Sequence, residues 1–154
     1  MSTQLTINGQ ARSLDCAPDT CLLDALRAIG YQGVKAGCHE GVCGACTVLV
    51  DGKATYACMT MVGQVHGRQV TTIEGLGTLQ HPHPLQQAFV DAGAVQCGYC
   101  TPGTILSAKA LLDRQRKPSR ADIAQALDGN LCRCTGYTKI VDAIEKVAAD
   151  GGAR

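Results

Sequence analysis

Cysteine is the residue type in this chain whose spacing most directly implies chemistry. The sequence has 154 residues and 10 cysteines, most of which fall into two groups. A thiolate can bind a metal ion, form a disulfide or act as a nucleophile, and the spacing within a group indicates which of these is available. The first group is Cys38, Cys43, Cys46 and Cys58, and the second is Cys97, Cys100, Cys132 and Cys134.

The start of the chain bears on which of these chemistries is available. The segment "MSTQLTINGQAR" has no basic region followed by an apolar run, and it has no pair of arginines. It therefore does not resemble a secretory signal, and we expect a cytoplasmic protein. Because disulfides are uncommon in that reducing compartment, so many cysteines indicate metal or redox chemistry.

The first cysteine group has the spacing C-x4-C-x2-C within "GCHEGVCGACTV", and Cys58 follows beyond a predicted hairpin. This spacing is typical of plant-type [2Fe–2S] ferredoxins. The glycines of the loop allow the backbone to approach a cluster closely and to adopt a positive φ where this is needed. A zinc site with four cysteines is the alternative, but zinc sites favour paired short knuckles.

The second group combines a C-x2-C pair in "QCGYCTPG" with a C-x-C pair in "NLCRCTGY". Each pair directly precedes a predicted helix, where free amides and the helix dipole favour negative charge. A [2Fe–2S] cluster with four thiolates has a charge of about −2 when oxidised and about −3 when reduced, so such donors suit it. A thioredoxin-like motif or a Cys97–Cys100 disulfide is the weaker alternative, because the surroundings are helical rather than βαβ.

Turn residues and apolar periodicity predict the elements of the first half. Hairpins are expected at Asn8-Gly9 and at Asp51-Gly52, and "RQVTTIEG" is a further strand. Between the hairpins, a short helix is expected to end at Gly30, with its apolar residues on one face. Those residues are Leu22, Leu23, Leu26 and Ile29.

The patterns in the second half of the sequence predict helices. One helix is expected to run from Pro84 to about Gly93, and another from Thr101 as N-cap to near Pro118. A capping box begins a third helix, and an apolar stripe marks the last. The capping-box residues are Ser119 and Asp122, and the stripe is Ile140, Val141, Ile144, Val147 and Ala148.

These patterns predict an α+β protein with a strand-rich domain over residues 1–76, a proline-containing linker over 77–82 and an all-helical domain over 83–154. The formal charge is +1 and no basic run stands out, which argues against a nucleic-acid partner. No apolar stretch approaches the length of a membrane span.

Three motifs in this order, "GCHEGVCGACTVLVDG", "AVQCGYCTPG" and "GNLCRCTGY", resemble the iron–sulfur subunit of the xanthine oxidase family of molybdenum hydroxylases. The resemblance covers about residues 3–149. It implies a β-grasp ferredoxin-like domain followed by a four-helix bundle, with one [2Fe–2S] cluster in each. The cluster ligands would be the cysteines of the two groups.

The resemblance also implies an electron-transfer subunit that works beside a large molybdopterin-binding subunit and, commonly, a medium FAD-binding subunit. The helical-domain cluster would lie nearer the molybdenum cofactor and the other cluster nearer the flavin. Gln96 would hydrogen-bond the pterin, and Cys134 would contact the pterin amino group while it ligates iron. The rivals are a free-standing two-cluster ferredoxin and, from a different class, a zinc-stabilised interaction module without a redox role.

Several residues near the motifs are expected to have no ligand role. Cys16 and Cys21 have none in the pattern, and Cys21 is expected to cap or pack the short helix. The methionines of "YACMTMV" are expected to pack around Cys58. We expect three of the histidines to be solvent-exposed, and the two tyrosines beside the second group to exclude water. These residues are His39, His81, His83, Tyr99 and Tyr137.

Overall fold

Two hairpins form the frame of a five-stranded mixed sheet in the computed structural model, which describes residues 2–151. Both predicted turns are present, with positive φ at Asn8 and Gly9 and at Asp51 and Gly52, which suits the right-handed twist of the strands. The strands are β1 (Ser2–Ile7), β2 (Gln10–Asp15), β3 (Thr47–Val50), β4 (Lys53–Tyr56) and β5 (Gln69–Thr71).

The strand order is β2-β1-β5-β3-β4. Only the β1–β5 pair is parallel, and it joins the two antiparallel hairpins through the central strand β5. Helix α1 (Leu22–Ala28) contributes its buried leucines to the same core as the sheet. Ile29 does not join this face: the helix ends at Ala28, the chain turns, and Ile29 is 47% exposed.

Four helices form the second half as a bundle. They are α2 (Pro84–Asp91), α3 (Thr101–Arg114), α4 (Arg120–Leu127) and α5 (Thr138–Ala149). Each helix packs against two neighbours, in the circuit α2–α3–α4–α5–α2. Phe89, Ile123, Ile140 and Ile144 lie in a core that is separate from the core of the sheet. The predicted α+β architecture is confirmed.

The limits of α3 differ from the prediction. Thr101 is its first residue rather than its N-cap, because the Thr101 amide already donates to the carbonyl of Gly98 at 3.3 Å and Cys100 takes the N-cap position. The helix ends at Arg114, since Gln115 is extended, several residues before Pro118. The capping box of Ser119 and Asp122 forms as predicted, with the Asp122 amide donating to Ser119 Oγ at 3.2 Å.

No helix within residues 2–151 combines the length and the apolar character needed to cross a bilayer.

His83 was expected in solvent, and this expectation is wrong. It is the N-cap of α2 and only 8% exposed; its Nδ1 accepts from the Leu85 amide at 3.1 Å. Its Nε2 is buried without a hydrogen-bond partner among the described residues. Burial lowers the pKa of His83 below 6.5, and nearby Lys109 lowers it further while Asp113 acts in the opposite sense. Histidine is not among the usual N-cap residues, so the sequence pattern did not indicate this role.

The lowered pKa of His83 predicts a pH dependence of stability. The unfolded chain takes up a proton on this side chain near pH 6.5, whereas the folded chain does so only at a lower pH. Between the two pKa values the unfolded state binds more protons, so the free energy of unfolding falls as the pH drops through this window. His83→Asn keeps a capping oxygen and should make this fall in the free energy of unfolding below about pH 7 shallower, as measured by urea unfolding at a series of pH values. His81→Asn, which replaces an exposed histidine, should show the same pH dependence of the free energy of unfolding as the parent. The same pH dependence in both variants would contradict the assignment of this effect to His83.

Candidate metal centres

The loop between α1 and β3 places the first cysteines around its own backbone amides. Cys38 Sγ accepts hydrogen bonds from the amides of Glu40, Val42 and Cys43, each at 3.4 Å. These amides, together with the Cys43 thiol, lower the pKa of Cys38 to about 6. His39 within the loop is exposed, as expected. The loop therefore stabilises negative charge on sulfur before any metal is considered.

Cys46 and Cys58 form the second half of this group. Cys46 lies immediately before β3 and is 2% exposed, and its thiol is in hydrogen-bond contact with Cys58, which lies in the turn Ala57–Met59. Burial raises the pKa of Cys46 to about 12. The pKa of Tyr56 is raised by burial and then by all four cysteines of the group, so all four thiols lie in the neighbourhood of this ring.

The second group is assembled from two loops of the helical domain. The Cys100 thiol contacts that of Cys132, and the Cys97 thiol contacts that of Cys134. Burial raises the pKa of Cys100 to about 11. Burial acts in the same sense on Cys132, but the hydroxyl and amide of Thr135, the Cys134 amide and the Cys100 thiol together outweigh it and lower the pKa of Cys132 to about 7.

Each group thus consists of two thiol pairs. Within residues 2–151, no three histidine, cysteine or acidic side chains are arranged around a single ion position. A [2Fe–2S] cluster has two irons, each of which takes two protein ligands. The paired thiols and the all-sulfur donor set of each cysteine group therefore fit a [2Fe–2S] cluster. The first group pairs Cys38 with Cys43 and Cys46 with Cys58, and the second pairs Cys97 with Cys134 and Cys100 with Cys132.

The helices contribute their N-termini to the second group. Cys100 is the N-cap of α3, while Tyr137 is the N-cap of α5 in the left-handed conformation, with φ 68. The Tyr137 hydroxyl accepts from the Cys132 amide at 2.8 Å and donates to the Asn130 carbonyl at 3.0 Å. Tyr137 therefore closes the loop that carries Cys132.

Tyr99 does not exclude water as expected, because it is 47% exposed. Its hydroxyl instead donates to the Ala36 carbonyl at 2.6 Å, which connects the loop of the second group to the loop of the first. Gln96 lies in the same loop as Tyr99 and is exposed, together with the ligand candidates Cys97 and Cys134. This end of the bundle thus presents two cysteines and one amide side chain at the surface.

The residues around Cys58 also depart in part from expectation. Met59 and Met61 are 62% and 52% exposed, so they do not pack around Cys58; Met59 lies instead over Gly41 of the loop. Cys21 packs at the edge of the sheet core as expected. Its thiol donates weakly to the carbonyls of Ala57 and Cys58 at 3.4 and 3.5 Å, a contact that sequence spacing gave no means of finding.

Asn130 is a further residue that sequence reasoning missed. It is 2% exposed and precedes the C-x-C pair, yet its side chain contacts the loop of the first group rather than the second. Its only sequence indication is its place next to Gly129 in "GNLCRC".

Comparison with known proteins agrees with this geometry. A family described as "2Fe-2S iron-sulfur cluster binding domain" matches residues 5–69, and one described as "[2Fe-2S] binding domain" matches residues 72–145. The chain is 50% identical over 145 residues to the nicotinate dehydrogenase small FeS subunit of Eubacterium barkeri, covering 94% of this chain and 92% of that protein. It is 45% identical over 149 residues to the xanthine dehydrogenase iron-sulfur-binding subunit of Escherichia coli O157:H7, covering 94% and 92%.

Solved structures show the same similarity. Quinoline 2-oxidoreductase from Pseudomonas putida 86 matches with a TM-score of 0.92 and 40% identity, over 99% of this chain and 98% of that chain. Aldehyde oxidoreductase from Desulfovibrio gigas matches with a TM-score of 0.94 and 46% identity, over 97% of this chain but 17% of that longer one. The chain therefore belongs to the iron–sulfur subunits of the xanthine oxidase family of molybdenum hydroxylases, with two [2Fe–2S] cluster-binding domains.

Proposed function

We propose that this chain is the electron-transfer subunit of a heteromeric molybdenum-dependent oxidoreductase and holds no substrate site of its own. The observation that carries the proposal is the arrangement of two cysteine groups, each made of two thiol pairs, in domains that touch through their cysteine loops. A [2Fe–2S] cluster supplies one-electron redox chemistry when bound. The chain's contribution is to fix two such sites at a constant separation.

The ligand assignment is part of the proposal. Both groups are taken to donate all of their thiolates, while Cys16 and Cys21 donate none. The ligands are Cys38, Cys43, Cys46 and Cys58 in the ferredoxin-like domain and Cys97, Cys100, Cys132 and Cys134 in the bundle. Amides directed at Cys38 and the hydroxyl and amide of Thr135 directed at Cys132 support negative charge at each site.

The exposed end of the bundle is the proposed contact with a large molybdopterin-binding subunit. Gln96 offers an amide side chain and Cys134 an exposed sulfur at that end, which suits hydrogen bonding to a pterin. Electrons would then pass to the ferredoxin-like domain, where Val42 in the cysteine loop and Met59 in the turn Ala57–Met59 are exposed apolar side chains that suit contact with a further subunit. An FAD-binding subunit is the acceptor we propose. A cytoplasmic location completes the proposal, because free thiolates need a reducing compartment.

A free-standing two-cluster ferredoxin and a zinc-stabilised interaction module remain the competing functions. The ferredoxin would purify and act alone, whereas the proposed subunit should purify with a larger chain that carries molybdenum. The zinc module would lack visible absorption from iron–sulfur charge transfer. Purification of the native complex, with metal analysis of each chain, separates the three.

Gln96 provides a variant test of the contact. Gln96→Ala should leave iron content unchanged, because the side chain is exposed and the cysteines keep their positions. The lost hydrogen bond should weaken binding to the large subunit about fivefold, measured by titration of the two purified chains. Gln125→Ala, at an exposed position on α4, is the matched control and should bind as the parent does. Equal binding by both variants would refute the assigned role of Gln96.

A further inference from the structure

One backbone hydrogen bond joins the two cysteine groups. The amide of Leu131 donates to the carbonyl oxygen of Cys43 at 2.9 Å. Cys43 belongs to the first group, and Leu131 immediately precedes Cys132 of the second. The path from the Cys43 thiol to the Cys132 thiol therefore consists of this one hydrogen bond and the covalent bonds of Cys43, Leu131 and Cys132.

Asn130 makes hydrogen bonds to both domains at the junction, which is the contact between the loops of Cys43 and Leu131. Its side-chain Nδ2 donates to the Gly44 carbonyl at 3.1 Å and to Thr47 Oγ1 at 3.3 Å, across the domain boundary. Its backbone carbonyl accepts from Tyr137, and its backbone amide donates to Leu127 at 2.8 Å within the bundle. Because Asn130 is 2% exposed, water cannot readily replace these contacts.

Glycine allows the two loops to come this close. Gly44 has φ +66, and a Cβ on it would lie 2.0 Å from the carbonyl oxygen of Gly129. A Cβ on Gly103 would lie 2.3 Å from the Gly44 carbonyl oxygen. Any side chain at either position would push the two domains apart.

A second link between the groups is longer. The Tyr99 hydroxyl donates to the Ala36 carbonyl at 2.6 Å, so a path through it must cross the whole tyrosine side chain and two further peptide units before Cys38. Tyr99 is also half exposed. Electron tunnelling favours paths with few bonds and no gaps, so the Leu131–Cys43 hydrogen bond is the more effective connection.

We propose that Asn130 is a positioning residue that keeps the Leu131 amide on the Cys43 carbonyl, and that this hydrogen bond is the shortest link for electron exchange between the two centres. The proposal rests on the proposed function. With a cluster bound in each domain, the electron lost by the cluster of the bundle would be the electron gained by the cluster of the ferredoxin-like domain. No bond breaks and no proton moves.

The test uses the full chain loaded with both clusters and the variant Asn130→Ala. Backbone amide exchange should be about tenfold faster at Leu131, which corresponds to about 1.4 kcal/mol. The magnetic splitting between the two reduced centres in EPR should become smaller, while iron content stays at the parent value. Tyr56→Phe removes the hydrogen bond from Tyr56 to the Gly129 carbonyl at the same junction, and it should change both readouts in the same direction if Asn130→Ala does not fold.

Asn8→Ala is the matched control. Asn8 makes two side-chain hydrogen bonds to Thr72 within the ferredoxin-like domain, so its loss should destabilise the chain without changing the splitting. Faster exchange at Leu131 with an unchanged splitting in the junction variants would overturn the inference and leave the proposed function intact. Absence of two cluster signals in the parent chain would instead refute the proposed function.

Discussion

Gly44→Ala is expected to lower the free energy of unfolding by about 2–5 kcal/mol. The left-handed conformation of Gly44 costs a residue with a Cβ about 1–2 kcal/mol. The new methyl group would also lie against the Gly129 carbonyl, and relief of such overpacking costs about 1–3 kcal/mol more. Denaturant unfolding of the full chain measures the sum.

Gly67→Ala separates the two contributions. Gly67 has φ +71, close to that of Gly44, but nothing lies within 4 Å of the position that a Cβ would take there. This variant should lose only the conformational part, about 1–2 kcal/mol. If both variants lose the same free energy, the contact between the domains at Gly44 contributes nothing and the proposed junction is wrong.

Cys58→Ser is expected to halve the iron content of the chain, from about four to about two irons, because one two-iron site loses a thiolate ligand. The other group is unaffected, since its cysteines are held by separate loops of the bundle. Iron analysis and visible absorption of the purified variant measure the loss. One of two EPR signals of the reduced protein should disappear with it.

Cys21→Ser is the matched control for this loss. The Cys21 thiol lies 3.5 Å from the Cys58 carbonyl oxygen, so it occupies the same neighbourhood without belonging to either thiol pair. Serine keeps a hydrogen-bond donor there, and the variant should retain about four irons. Iron loss in Cys21→Ser, or full iron content in Cys58→Ser, would contradict the ligand assignment.

Local sequence rules predicted much of the fold. Asn8-Gly9 and Asp51-Gly52 specify their hairpins because their backbone preferences match the required turns. The capping box of Ser119 and the apolar stripe of α5 are likewise local patterns, and both elements form where expected. Spacing within each segment indicated the two cysteine groups, but three of the four thiol pairs join separate segments of the chain, so the pairing itself depends on the fold.

Features that depend on long-range contacts were not predictable. Asn130 crosses from the bundle to the loop of the first group, and no pattern around it specifies Gly44 as its partner. His83 was expected in solvent because it flanks Pro82 in the linker, but as the N-cap of α2 it becomes buried. Met59 was expected to pack around Cys58, yet the short turn that carries Cys58 leaves Met59 at the surface.

EPR spectroscopy with iron analysis of the purified full chain, reduced anaerobically with dithionite, tests the central claim most directly. The two cysteine groups, each made of two thiol pairs, predict two distinct rhombic [2Fe–2S] signals and about four irons per chain. A colourless protein that contains zinc, or a chain with a single cluster signal and about two irons, would contradict the account.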